Sequence, residues 1–174
     1  MAEEQRMAGW QIERIPTGVA NLDAVIDGGL TRGGLCLIVG GPGTGKTVLA
    51  QQMAFHWASQ GKNTLWLVTL GEPNEKFLIN LSEMQFFDRN QIGATIQLIN
   101  LARYLRQGIE EQLDVIRETI RSGTYSFVVL DGFQSFRCFL PHEREVRLFL
   151  SELSSELALA GITLIVTVDA DPKR

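Results

Sequence analysis

The chain has 174 residues, 45% hydrophobic and 21% charged, which fits one globular domain with a substantial core and excludes a disordered or fibrous chain. Its formal net charge of -4 gives no electrostatic case for a standing nucleic-acid partner. The polar, acidic start Met1-Ala2-Glu3-Glu4 is unlike a signal peptide, and no apolar run approaches the roughly 20 residues of a membrane helix, so the expectation is a soluble, cytoplasmic protein without a membrane partner.

In chain order, residues 1–12 read as a flexible arm with Trp10 as its one anchor, leaving 13–174 as the domain. Residues 21–26 suit a short helix stopped by Gly28 and Gly29. Thr31-Arg32-Gly33-Gly34 is a turn feeding a first strand over 35–40, in which Cys36 reads as a buried small hydrophobe; Cys138 lies too far along to form a metal-like pair with it. A helix over 46–59 places Leu49, Met53 and Trp57 on one face and stops at Gly61. The run 64–70 is apolar enough for a strand buried on both faces. Pro73 and Asn74 open a helix carrying Phe77, Leu81 and Met84 on one side, and a third strand spans about 95–101.

Ile109, Leu113, Ile116 and Ile120 mark the next helix, ending near Gly123. A fourth strand, 127–130, ends on Asp131. Val146, Phe149 or Leu150, Leu153 and Leu157 form the inward face of the last helix, which Gly161 closes before a strand over 162–168. His56 and His142 read as solvated. Strands alternating with helices predict an α/β fold with a mainly parallel sheet of about five strands.

The chemistry centres on Gly40-Gly41-Pro42-Gly43-Thr44-Gly45-Lys46-Thr47, of the form G-x-x-x-x-G-K-[ST], between an apolar strand and a helix. That context is what a phosphate-binding loop requires. Glycines let the main chain curl and come close to a phosphate, with successive N–H groups and the start of a helix aimed at the anion. Gly41, Pro42, Gly43, Thr44, Gly45, Lys46, Thr47 and Val48 are the candidate nucleotide-binding residues, Lys46 bridging the β- and γ-phosphates and the Thr47 hydroxyl ligating Mg²⁺. The competing reading is a glycine-rich turn with an incidental lysine.

Asp131, at the end of four consecutive apolar strand residues, is the candidate second metal residue, against the alternative of a turn or helix cap. Glu72 stands after the second strand, where a carboxylate could orient or deprotonate an attacking water; it also directly precedes Pro73 and a helix, where an acid favours the helix dipole. Thr167, near the end of the last strand, is a candidate sensor of the γ-phosphate if that strand lies beside the loop strand.

Thr17-Gly18, Leu22-Asp23, Gly28-Gly29-Leu30, the phosphate loop, Val68-Thr69-Leu70-Gly71-Glu72 and the Asp131 strand together resemble a KaiC-type domain of the RecA-like P-loop ATPase superfamily, over about residues 14–170. The resemblance implies ATP as ligand, Mg²⁺ as cofactor, a homo-oligomeric, commonly hexameric ring with nucleotide at subunit interfaces, and a regulatory or signalling ATPase working with a further protein partner. Some members phosphorylate their own Ser or Thr, and DNA-dependent motors belong to the wider superfamily. It also implies that the last strand lies between the loop strand and the Asp131 strand.

Two departures stand out. The family usually carries paired glutamates after the second strand, and the first, the usual general base, falls here on Gly71. Slow hydrolysis, or a base role for Glu72, is therefore expected, since a missing base costs on the order of 10²–10⁴ in rate. The basic residues that reach a neighbour's ATP come in the family from beyond the last strand, where this chain offers Lys173 and Arg174.

Overall fold

The computed structural model describes residues 12–69, 74–101, 109–134 and 142–170. The expectations for the arm at 1–11, for Gly71 and Glu72, and for Lys173 and Arg174 lie outside these residues.

A two-strand antiparallel ribbon, β1 (Arg14–Ile15) and β2 (Leu30–Thr31), flanks the short helix α1 (Leu22–Val25). The main sheet holds β3 (Leu35–Gly40), β4 (Thr64–Val68), β5 (Ile96–Asn100), β6 (Phe127–Asp131) and β7 (Thr163–Asp169). Its order is β3-β7-β6-β4-β5, all parallel. The helices are α2 (Lys46–Ser59), α3 (Asn74–Ser82), α4 (Ile109–Ser122) and α5 (Glu143–Leu159), with a 3₁₀ turn at Arg89–Gln91.

Parallel strands need long crossovers, and these put helices on both faces of the sheet. Period-two alternation then divides the inner strands β4, β6 and β7 between two cores. Leu65, Leu67, Val128, Leu130, Leu164 and Val166 meet Leu113 and Ile116 of α4 and Phe149, Leu153 and Leu157 of α5. Trp66, Val68, Phe127, Val129 and Ile165 meet Ala50, Met53, Ala54 and Trp57 of α2, and Leu81 of α3. The indole of Trp57 lies flat on Phe127, with ring centroids 3.6 Å apart and planes within 5°.

The segment before β3 is tied to α2 rather than left as a connector. The Trp57 indole Nε1 donates to the Pro16 carbonyl at 2.7 Å, and the Thr17 amide donates to Asp23 Oδ1 at 2.9 Å. Gly18 adopts φ +71° directly beneath the His56 ring, which a Cβ would meet at 2.0 Å. Only glycine combines that backbone angle with that contact. His56 is therefore half-buried against Gly18, not solvated as its sequence position suggests, although its Nε2 keeps a 2.9 Å contact with Gln60 Nε2. His142 is exposed, as expected of a residue just before α5.

The structure revises one further expectation. Among the described residues β3 is an edge strand, paired on one side with β7. Its alternate residues Leu35, Leu37 and Val39 are 43%, 49% and 60% exposed, and Cys36, facing α2, is only half-buried. Burial still pushes the Cys36 thiol above its usual pKa.

Candidate functional site

The C-terminal ends of β3, β7 and β6 bring the site residues to one edge of the sheet. Register does the placing: Gly40 lies opposite Asp169, and Leu130 opposite Val166, so Asp131 and Thr167 follow side by side. In an open α/β sheet this carboxyl edge is where ligands bind.

The loop leaves β3 at Gly40 and enters α2 at Lys46. Gly43 and Gly45 take φ +74° and +88°. A Cβ on Gly40 would lie 2.7 Å from Thr44 Oγ1, so the absence of a side chain at Gly40 lets the loop close on itself. Thr44 Oγ1 donates back to the Gly41 carbonyl at 2.9 Å. Gly45 stands at the N-cap of α2, and no side chain caps the helix. The first-turn amides, Lys46, Thr47 and Val48 among them, therefore lack the partner a capping residue would supply, and the positive end of a 14-residue helix opens onto the loop. Pro42, Gly43, Thr44 and Gly45 are exposed, while Gly41, Lys46 and Thr47 are partly sheltered.

Lys46 folds back over the loop. Its Nζ donates to the Gly40 and Gly41 carbonyls at 3.0 and 2.8 Å, and pairs with Asp169 Oδ1 at 2.8 Å.

Asp131 is 2% exposed. Its Oδ1 accepts from Thr47 Oγ1 at 2.9 Å and from Thr167 Oγ1 at 2.6 Å. Burial holds its carboxyl above the usual carboxylate range, although the hydrogen bonds from Thr167, Thr47 and the Gly132 amide and the charge of Lys46 act the other way. The carboxylate is thus under-compensated where it stands. Thr47 and Asp131 supply hard oxygen donors, and a divalent cation would relieve that burial cost. Among the described residues no group of three or more His, Cys, Asp or Glu could hold a metal. A Mg²⁺ ion here would accordingly take its other ligands from phosphate and water, as is usual for Mg²⁺.

Thr167 stands beside the loop strand's end, but its hydroxyl is already engaged. It donates to Asp131 and accepts from the Gly132 amide at 2.8 Å. Thr69 is the residue that site reasoning from sequence passed over. It is 1% exposed, its amide donates to the main-chain carbonyl of Asp131 at 3.1 Å, and its hydroxyl shares its one proton between that carbonyl, at 2.9 Å, and the Gly132 carbonyl. The available signal was a threonine directly after five buried strand residues, where an apolar residue would otherwise continue the run.

A sequence description of the KaiC ATPase family matches residues 15–174. The chain belongs to this family. The KaiC-family domain superimposes on the crystal structure of a KaiC-like protein, PH0186, from Pyrococcus horikoshii OT3, with a TM-score of 0.69 and 27% identity, covering 94% of this chain and 73% of that one. It is also similar to DNA repair protein RAD51 homolog 4 of Mus musculus, 27% identical over 169 residues, or 88% of this chain and 51% of the relative. DNA repair protein RadA of Mycolicibacterium smegmatis is 48% identical over 52 residues, or 30% of this chain and 11% of the relative. The KaiC-family domain thus spans about half the length of the RAD51 homologue and much less of RadA. Its parallel sheet, of five strands among the described residues and with helices on both faces, is the α/β fold that the sequence pattern predicts and the RecA-like fold that the family resemblance implies.

Proposed function

We propose that this KaiC-family domain binds Mg·ATP at residues 40–48 and hydrolyses it slowly, as a regulatory ATPase. The observation that carries the reading is the 2.9 Å hydrogen bond between Thr47 Oγ1 and Asp131 Oδ1, which joins the first turn of an uncapped helix to a buried, under-compensated carboxylate on another strand. The loop amides and Lys46 would receive the β- and γ-phosphates, and Thr47 and Asp131 would hold Mg²⁺, which neutralises charge developing on the phosphates. Thr167 orients the Asp131 carboxylate, and Thr69 holds the Asp131 main chain. Glu72 is the proposed water-positioning group, and Gly71, in place of the usual first glutamate, is the reason for expecting slow turnover.

Gly71 also favours a second reading, an ATP-binding module whose occupancy sets conformation or partner choice with negligible turnover. The DNA-repair names of two relatives raise a DNA-linked role, which the net charge of -4 opposes. Assembly into a homo-oligomeric ring and a cytoplasmic location belong to the same proposal.

Phosphate release with Mg·ATP, measured for the protein and for Lys46→Ala and Glu72→Gln, tests the reading. Lys46→Ala should abolish both binding and release, and Glu72→Gln should bind ATP but release phosphate at least tenfold more slowly. Unchanged release in Glu72→Gln would remove the water-positioning role. Release accelerated by single-stranded DNA would favour the DNA-linked role, and mass in solution with and without ATP decides the ring.

A further inference from the structure

An ammonium has three protons to donate. Lys46 spends them on the Gly40 carbonyl, the Gly41 carbonyl and Asp169 Oδ1. A phosphate oxygen can therefore reach Lys46 Nζ directly only by displacing one of these partners. The carbonyls are main-chain groups fixed by the fold: Gly40 O also receives the Ala170 amide at 2.9 Å, and Gly41 O holds the Thr44 hydroxyl. Asp169 is the partner on a movable side chain. It is 43% exposed, and it carries the same sign of charge as the ligand the loop is built for.

We propose that Asp169 sets nucleotide affinity and selectivity by occupying the phosphate's place on Lys46 in the nucleotide-free protein, and that it is expelled when nucleotide binds. Binding at this loop is then a competition between two anions for one ammonium. The inference rests on the nucleotide reading of the loop and adds to it a residue at the end of β7. The competition has a direction. Once displaced, Asp169 remains tethered beside the phosphates by the β7–β3 pairing, at Asp169 opposite Gly40. Its charge therefore penalises a highly charged metal-free nucleotide more than the Mg²⁺ complex, whose net charge is smaller.

The test measures dissociation constants of a fluorescent, non-hydrolysable ATP analogue with Mg²⁺ and with EDTA, for the unaltered chain, Asp169→Asn, Asp169→Ser and Asp169→Glu. Asp169→Asn and Asp169→Ser should bind about three- to tenfold more tightly, the scale expected for removing one partly exposed ion pair and the repulsion that follows its displacement. The gain should be larger in EDTA than with Mg²⁺, and Asp169→Glu should stay near the unaltered value. In parallel, melting temperatures of the nucleotide-free protein, Lys46→Ala, Asp169→Asn and the double variant form a cycle, and the two substitutions should be non-additive. No binding by the unaltered chain would overturn the nucleotide reading itself. Binding by that chain with equal or weaker binding by Asp169→Asn and Asp169→Ser, or additive melting shifts, would overturn the role of Asp169 while leaving the nucleotide reading intact.

Discussion

Thr167→Val isolates the hydroxyl that links β7 to Asp131. Valine keeps the shape of threonine, so the packing of a side chain that is 2% exposed survives and only the polar atom is lost. Two hydrogen bonds go with it, one donated to Asp131 at 2.6 Å and one accepted from the Gly132 amide at 2.8 Å. The first involves a carboxylate, a class of bond worth about 1.5–3 kcal/mol, and the second leaves a sheltered N–H short of its partner at a cost of about 1–3 kcal/mol. Taking the lower part of both ranges, the variant should lose about 3 kcal/mol. For a domain of this size that is a fall of about 6–12 °C in melting temperature. Thr167→Ser retains the hydroxyl and removes one buried methyl, so it should lose only about 1 kcal/mol. Urea unfolding of the nucleotide-free protein, followed by tryptophan fluorescence and circular dichroism, measures both. If Thr167→Val unfolds at the same urea concentration as the unaltered chain, or no earlier than Thr167→Ser, the Asp131–Thr167–Gly132 network does not support the fold as described.

Asp131→Asn can keep the acceptor for both threonine hydroxyls and removes a buried charge. Burial raises the folded-state pKa above the unfolded value, so ionisation costs stability as pH rises through that window. At neutral pH the empty variant should accordingly melt about 2–4 °C higher for each kcal/mol recovered, while any additional stabilisation by Mg²⁺ with nucleotide disappears. Gly40→Ala puts a Cβ 2.7 Å from Thr44 Oγ1 and should weaken nucleotide binding about tenfold through loop displacement, read by calorimetric titration, with little change in the melting temperature of the empty protein. Trp57→Phe loses the 2.7 Å bond to the Pro16 carbonyl and part of the stack on Phe127, and should cost about 2–3 kcal/mol in urea. Cys36, its thiol pKa raised by burial, should be alkylated by iodoacetamide more slowly than free cysteine at pH 8, as mass spectrometry of the Cys36 peptide would report.

Periodicity and punctuation made most of the fold legible. The helix predicted over 46–59 is α2 residue for residue, because Leu49, Met53 and Trp57 mark its face and Gly61 its end. The first strand, over 35–40, is equally sharp, bounded by Gly34 and the loop. What escaped were elements too short to show a period: the β1–β2 ribbon contributes two residues per strand, and its pairing joins Arg14 to Thr31 across a separation that no local pattern encodes. The exposure of Leu35, Leu37 and Val39 escaped for another reason. An apolar run states that a strand can be buried on both faces, whereas strand order decides whether it is.

At the site, the loop declares itself through spacing, and Asp131 through the apolar run before it. The partners of Asp131 do not. Thr69 and Thr167 look like ordinary strand residues until parallel strands set them around one residue, Thr69 on the main-chain carbonyl of Asp131 and Thr167 on its carboxylate. Asp169 is silent for the same reason, since its meaning lies in standing opposite Gly40.

The in-register row across β3, β7 and β6 also sets what kinds of sequence change this domain can absorb. Side chains alternate faces along a strand, so deleting one residue within β7 ahead of Thr167 would bring Val168 to the place of the Thr167 hydroxyl and turn Asp169 away from Lys46. The strand could still pair along its backbone, and the protein could still fold, yet the β7 members of the row around the loop would be gone. Surface turns can gain or lose residues without touching that row. Inside these three strands, length is as much a determinant of the site as residue identity.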